Sequence, residues 1–598
     1  MMPPKFEQFA AVRVIGNPEF DPSGDRLAYL ANTSGQQNLW IMPSRGGFPV
    51  QLTALSTHRV TDFAWSPDGE WIAFTADHHG DEMHQVYVID SDGGWPRQLT
   101  DAPEAQHALA GWTPDGRSIV VSANDREPSE VDPQLIDAET GARDRLMTGG
   151  QYYAHEVSPD GRMLTLLEFN GNTDQDILVM DLASREARTA TPHEGESIFV
   201  PAGWARDNSG FYLMTNHGRE YRALAFYHVE PSGWQYIHAP DHDVELFEIA
   251  ADGRTTLAGT NIDGASALQA YDMTTGSEIE LSELPFAVVA SFTLHPTERR
   301  AVLELGRPTE MTNLYHLEFN GSLRPLEQSM LGGLDPDDLI EPDLIGFESF
   351  DRTIPAWLYQ PEGEGPHPVI LSIHGGPESQ ERPSYAYAGL YQYLLSRGIG
   401  ILAPNIRGST GYGRSYQKLI QRDWGGDELE DIRYAAEYLR GLDWVDDDQI
   451  GVFGGSFGGF ATLSALARLP EYWAVGVDIV GPSNLVTFAQ SVPPHWRPFM
   501  RALVGDPEDD REMLLERSPV RYVDQIRAPL LVIQGANDPR VVQAESDQMV
   551  DRLREKGLEV DYYVDPEGGH GASDREGRLR WYRMVAEFLE ERLSPNSE

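Results

Sequence analysis

The chain has 598 residues, 40% of them apolar, and a formal net charge of −48 with a pI near 4.6. That length exceeds one ordinary hydrophobic core, so at least two domains are expected, and the charge argues against nucleic acid or an anionic membrane as a partner. With no cysteine in the chain, disulfides, a thiol nucleophile and zinc–thiolate sites are excluded.

Residues 1–10 read as a short N-terminal extension without the apolar core of a signal peptide. No stretch approaches the roughly 18 apolar residues of a membrane span, so a cytoplasmic protein is expected. Residues 11–330 then repeat themselves. Phe20-Asp21-Pro22-Ser23-Gly24, Trp65-Ser66-Pro67-Asp68-Gly69, Trp112-Thr113-Pro114-Asp115-Gly116 and Val157-Ser158-Pro159-Asp160-Gly161 are clear copies. Weaker copies occur at Trp204-Ala205-Arg206-Asp207, Ala250-Ala251-Asp252-Gly253 and Leu294-His295-Pro296-Thr297. The proline position recurs at 22, 67, 114, 159, 206, 251 and 296, steps of 45 or 47 residues. A tight turn followed by short alternating strands at that period predicts a seven-bladed β-propeller. One such sheet cannot bury both faces, whereas a closed ring of them can. The aromatics Trp65, Trp112 and Trp204 are expected in its core.

Two loops in this half carry concentrated polar chemistry. Asp77-His78-His79-Gly80-Asp81-Glu82-Met83-His84 offers metal-ligand types but lacks the helical spacing of a metal site, and reads as a solvated hairpin loop. Asn216-His217-Gly218-Arg219-Glu220-Tyr221 is the equivalent loop of the fifth repeat. It reads as a plain loop, or as one that faces the second domain.

Residues 331–343 are rich in glycine, proline and acid and mark a linker. From 344 to 598 the pattern changes to buried strands alternating with helices, which predicts an α/β domain with a doubly wound, mostly parallel sheet. Strands are expected at 344–350, 354–359, 369–373, 401–403, 450–453, 475–479, 530–533 and 560–564. Helices are expected at 427–440, 544–555 and 578–593, the first with Leu429, Ile432, Ala436 and Leu439 at helical spacing.

Gly454-Gly455-Ser456-Phe457-Gly458-Gly459 joins the strand ending near 453 to a helical stretch. Strand, G-x-S-x-G and helix make a nucleophile elbow. A serine hydroxyl attacks only when a positioned base takes its proton, and a carboxylate must hold that base in the right tautomer. Asp538 lies in the loop after strand 530–533 and His570 in the loop after strand 560–564, which is the chain order Ser, Asp, His of such hydrolases. Asp565 and Glu567 are the rival acids, disfavoured by their closeness in sequence to His570. An oxyanion hole needs two converging donors. The candidates are the N–H of Phe457 and that of Gly376 in His374-Gly375-Gly376-Pro377, with His374 supporting the loop.

These motifs resemble the prolyl oligopeptidase family of serine peptidases, particularly its acylaminoacyl-peptidase-like branch. The resemblance spans almost the whole chain. It also rests on Asn405-Ile406-Arg407-Gly408-Ser409-Thr410-Gly411-Tyr412-Gly413, Asp423-Trp424-Gly425-Gly426-Asp427, Asn537-Asp538-Pro539-Arg540-Val541-Val542 and Gly569-His570-Gly571. It implies a peptidase of short peptides, screened by the propeller, with no metal or organic cofactor and with a homo-oligomeric assembly. It further implies that Arg540 binds the carbonyl of the residue before the scissile one, with an ion pair to a neighbouring acid as the other reading. Val541 and Trp496 would line the pocket for the residue at the scissile bond. Dipeptidyl peptidases of the family hold the free N-terminus with paired propeller glutamates. That pair cannot be placed here, so the resemblance favours release of an N-acylated residue. A carboxypeptidase, with Arg497 or Arg407 holding the terminal carboxylate, and an esterase or lipase on the same triad are the alternatives.

Overall fold

The computed structural model describes residues 4–327, 329 and 332–593. Residues 1–3 of the expected extension, Leu331 at the start of the expected linker and the last five residues lie outside these.

Among the described residues, seven four-stranded antiparallel sheets span 15–51, 58–98, 107–145, 152–189, 199–238, 244–279 and 288–325. They are the blades of the expected propeller, and the repeated turn joins the first and second strand of each. Its side chains explain its sequence. In blade 2 the Ser66 hydroxyl donates to Asp68 at 2.6 Å and accepts from the Trp71 N–H at 2.9 Å, while Gly69 sits at φ 72°. Blade 4 repeats this with Ser158, Asp160, Met163 and Gly161 at φ 74°. The glycine is required because a side chain disfavours that conformation.

The tryptophan before the turn joins neighbouring blades. The indole N–H of Trp65 donates to the Glu19 carbonyl, that of Trp112 to Ala64 and that of Trp204 to Glu156, each on the first strand of the preceding blade. Trp65 and Trp204 are buried, as expected, and Trp112 is half-buried. The ring closes without exchanging a strand, because blades 1 and 7 are each contiguous in the chain. Side chains make the junction. Arg300 of blade 7 is 2% exposed, donates to the Gly24 carbonyl and the Ser44 hydroxyl, and lies over the Phe20 ring.

The second half forms one eight-stranded sheet: β1 (Asp343–Glu348), β2 (Thr353–Tyr359), β3 (His367–Ile373), β4 (Gly400–Pro404), β5 (Val445–Gly455), β6 (Val475–Ile479), β7 (Leu530–Gly535) and β8 (Val560–Asp565). The order is 1-2-4-3-5-6-7-8, antiparallel at β1–β2 and β2–β4 and parallel elsewhere. Alternate residues of β3 point to opposite faces. Val369, Leu371 and Ile373 enter one core with Leu429, Ile432, Phe460 and Leu463, while Ile370 enters the other with Tyr391, Leu394, Trp581 and Val585.

Helix α1 (Phe6–Ala10) belongs spatially to this domain. Phe6 and Phe9 pack edge-on against Tyr393 of α2 (Leu390–Ser396), and Tyr385 donates to the Phe9 carbonyl. From residue 6 the chain therefore runs from the α/β domain through the propeller and back, so two segments join the domains. No described helix is long and apolar enough to cross a membrane.

Candidate active site

Strand β5 ends at Gly455, and α3 (Phe457–Arg468) starts one residue after Ser456. Ser456 has φ 57° and ψ −120°, a region costly for a residue with a side chain. Packing holds it there: its N–H donates to the Ile479 carbonyl at 2.8 Å, and its carbonyl accepts from Phe460 N–H at 3.0 Å. The flanking glycines are required by close approach. A Cβ on Gly454 would lie 2.3 Å from the Gly458 carbonyl carbon, and one on Gly458 would lie 2.0 Å from the Ile373 oxygen.

Asp538 follows β7, and its side chain is fully buried. One oxygen accepts from the N–H groups of Arg540 and Val541 at 2.9 and 3.0 Å. The other accepts from His570 Nδ1 at 2.7 Å, which aims the imidazole from the loop after β8. The rival acid Asp565 is engaged elsewhere, accepting the Trp581 indole N–H at 2.7 Å. Among the described residues Ser456 Oγ makes no hydrogen bond, so its bond to His570 is not formed in this conformation. Catalytic hydrogen bonds commonly tighten only in the complex with substrate. Register puts the loops together, since Gly455, Ile479, Ile533 and Tyr563 are aligned across β5 to β8.

The loop after β3 approaches the serine closely: a Cβ on Gly375 would sit 3.4 Å from Ser456 Cβ. Gly376 has φ 119°, and its N–H has no protein acceptor among the described residues. The Phe457 N–H opens α3, where no carbonyl of the preceding turn can reach it. Two donors without a protein acceptor among the described residues are thus carried by the segments that meet at Ser456. His374 braces this loop through Gly375 O at 2.7 Å and Ser409 Oγ at 2.9 Å, and burial lowers its pKa, keeping the ring neutral.

The propeller closes over these loops from several blades. Residues 77–84, expected as a solvated loop, are instead packed on the His570 loop. A Cβ on Gly569 would fall 2.0 Å from the Gly80 oxygen. Glu82 accepts from Arg540 Nε at 2.8 and 3.1 Å, and the guanidinium lies 5.5 Å from the centre of the Trp496 ring. Both terminal nitrogens of Arg540 make no protein hydrogen bond among the described residues, so the ion pair orients the fork and leaves donors for a ligand. Sequence reasoning missed Glu82. Its signal was the density of acid and histidine in a hairpin loop at the end of the blade opposite the repeated turn. The loop 216–221 also docks: Glu220 accepts from the N–H groups of Arg414 and Ser415, each at 2.9 Å.

Val541, expected in the pocket, and Arg407, the carboxylate receptor of the carboxypeptidase alternative, sit differently. Val541 is 2% exposed and packed in the core, so it serves the site through its N–H to Asp538 rather than as a pocket wall. Arg407 is buried and held by Asp431 at 2.8 Å with Asp351 and Asp427 beside it. Those three acids stabilise it as a structural cation and remove it as a carboxylate receptor. Trp496 is half-buried in an aromatic row, with ring centres 5.7 Å to Phe499 and a further 5.8 Å to Phe169 of blade 4.

Comparison with known proteins gives the same architecture. Residues 386–596 match the prolyl oligopeptidase family (Peptidase_S9), and residues 7–205 match the TolB β-propeller domain. Dipeptidyl aminopeptidase BIII of Pseudoxanthomonas mexicana is 29% identical, over 99% of this chain and 89% of its own. Dipeptidyl peptidase family member 6 of Caenorhabditis elegans is 25% identical, over 96% and 85%. A puromycin-hydrolyzing peptidase of Mycobacterium tuberculosis superposes with a TM-score of 0.82 at 21% identity, covering 99% of this chain and 96% of that one. An acylaminoacyl peptidase bound to Z-Gly-Gly-Phe-chloromethyl ketone gives 0.74 at 20% identity, covering 99% and 98%. With a nucleophile elbow and a matching domain order in hand, the chain is a serine peptidase of the prolyl oligopeptidase family.

Proposed function

We propose that the enzyme is an exopeptidase that removes short units from the N-terminus of small peptides through an acyl-enzyme. Ser456 Oγ attacks the scissile carbonyl carbon as His570 takes its proton. The C–N bond then breaks, His570 protonates the leaving amine, and water repeats the sequence to free the acyl product. Asp538 fixes the tautomer of His570. The N–H groups of Gly376 and Phe457 stabilise the oxyanion. The free end of the Arg540 guanidinium binds the carbonyl of the preceding residue, and Trp496 with Phe499 supplies an apolar wall.

The observation that carries this reading is the pairing of Arg540 with Glu82. A residue of the propeller thereby orients the group expected to hold the acyl side of the substrate, so peptide selection belongs to both domains. A bare hydrolase would suffice for an esterase or lipase. The carboxypeptidase alternative loses Arg407 to its three acids; Arg497 is exposed, and nothing in its surroundings favours that reading. The relatives named as dipeptidyl peptidases support work from the N-terminus. The open edge of the sheet at β1, with Leu344 42% exposed, supports self-association, which light scattering on the purified chain measures.

The test is one peptide prepared free, N-acetylated and C-amidated, with products identified by mass spectrometry. Release of N-terminal units regardless of amidation is expected. Loss of cleavage on amidation alone would refute the N-terminal reading. In parallel, Ser456→Ala should no longer be labelled by an organophosphonate, and full labelling of that variant would sink the nucleophile assignment.

A further inference from the structure

Between blades 4 to 6 and the loops at 378 and 410–417 lies a cavity of about 330 Å³. Glu378 is in its wall, two residues past Gly376. Asn172 of blade 4 and Gln421 donate to its two oxygens, and Gln417 is a further amide partner. Among the described residues no arginine, lysine or histidine pairs with it. The other charged groups of the cavity are committed: Arg222 lies against Asp243 and Glu245, and Arg414 lies in the field of Glu196 and Glu220. Burial raises the Glu378 carboxyl above its usual range, with Glu196 adding to the shift. A partly buried carboxylate dressed by amides and lacking a cation is a receptor for one.

Its position is suited to a substrate end. Two residues of chain place its Cα within about 7.6 Å of the Gly376 Cα, and an extended peptide advances about 3.3–3.6 Å per residue. Beside the cavity, an aromatic row leads to Arg540. Asn172 follows Phe169 on the blade 4 hairpin, and Phe169, Phe499 and Trp496 form the aromatic row that ends under the Arg540 guanidinium.

We propose that Glu378, set by Asn172 and Gln421 in this interdomain cavity, binds the α-ammonium of a peptide whose N-terminus lies one or two residues before the scissile bond. This rests on the N-terminal reading above and deepens it: free N-termini are preferred over acylated ones. A lysine side chain presents the same ammonium chemistry, so the experiment separates the two sources.

The readout is the ratio of kcat/KM for Ala-Ala-p-nitroanilide to that for its N-acetyl form, compared between wild type and Glu378→Gln. The ratio should fall about ten- to hundredfold, as expected for losing a charge-assisted hydrogen bond, with most of the change in KM, and Glu378→Asp should restore part of it. An unchanged ratio in Glu378→Gln overturns the assignment. So does a loss confined to N-acetyl-Lys-Ala-p-nitroanilide, which would place a side-chain ammonium there. Should the variants not fold, wild type is compared on Ala-Ala-p-nitroanilide and its desamino analogue propionyl-Ala-p-nitroanilide. The desamino substrate should be about ten- to hundredfold poorer, and equal rates overturn the proposal. Failure of the N-terminal reading is separate, because it shows as loss of cleavage on C-terminal amidation in the wild-type enzyme.

Discussion

The propeller and the α/β domain use the same chain in opposite ways. The propeller buries its apolar residues as small clusters within and between adjacent blades, such as Ile177, Phe199, Trp204 and Phe211 between blades 4 and 5. The α/β domain concentrates them into two large cores on either side of one sheet. Repeats of the first kind contribute stability as a sum of neighbour terms, so a loop at one rim can diverge without cost to the ring. That freedom is where function enters the propeller. Gly80, Glu82, Asn172 and Glu220 all lie in loops at the rim facing the catalytic domain, while the opposite rim carries the repeated turns.

This contrast can be broken most severely at the proposed triad. Asp538→Asn should lower kcat by about 10⁴-fold, because the histidine is then held in the wrong tautomer, while thermal unfolding shifts little; a loss under tenfold would dismiss Asp538 as the orienting acid. Next in size is the propeller's own contribution. Glu82→Gln weakens the clamp on Arg540 and should cost roughly tenfold in kcat/KM on peptide anilides, with a smaller loss on a simple acetyl ester that has no preceding residue. Equal losses on both substrates would mean that Glu82 only holds the domains together.

Structural changes inside the ring should be milder. Trp204→Phe removes one interblade hydrogen bond and should cost about 1 kcal/mol, read as a small fall in the unfolding midpoint with kcat unchanged. A change read against pH rather than at one pH concerns a buried acid of the ring. Burial pushes Glu248 up to about 8, with its bond from the Leu294 N–H as the main opposing influence. A carboxyl raised in the folded state contributes stability that is full below its ordinary value near 4.5 and is lost as pH rises through about 8. Glu248→Gln should therefore lose less stability than wild type between pH 5 and pH 8. Calorimetry at the two pH values checks this, and parallel curves would show that Glu248 does not titrate with folding.

Much of this was legible beforehand because it is local. A glycine with positive φ after Ser-Pro-Asp, a 45-residue period and a strand–Ser–helix junction are each dictated within a few residues. Helix 427–440 was expected with those bounds and is observed with them. Boundaries set by long-range pairing were less accurate. Strand β5 runs from Val445, five residues before its expected start, because His367 of β3 pairs with Val445 ahead of the pairs that begin at Val369 and Ile450. Roles that depend on distant neighbours were missed or misplaced. Arg407 looked available until Asp351, Asp427 and Asp431 were seen around it, and the loop at 77–84 looked solvated until Gly569 was found against it.

By itself the sequence determined the two-part architecture, and it proposed the nucleophile and the order in which its partners follow. Turn chemistry and hydrophobic period act over short stretches and leave few alternatives. Tertiary structure alone decided that Glu82 braces Arg540, that Val541 faces the core, and that no cation among the described residues pairs with Glu378. Charge pairing depends on which side chains meet across hundreds of residues, and no local pattern encodes that meeting.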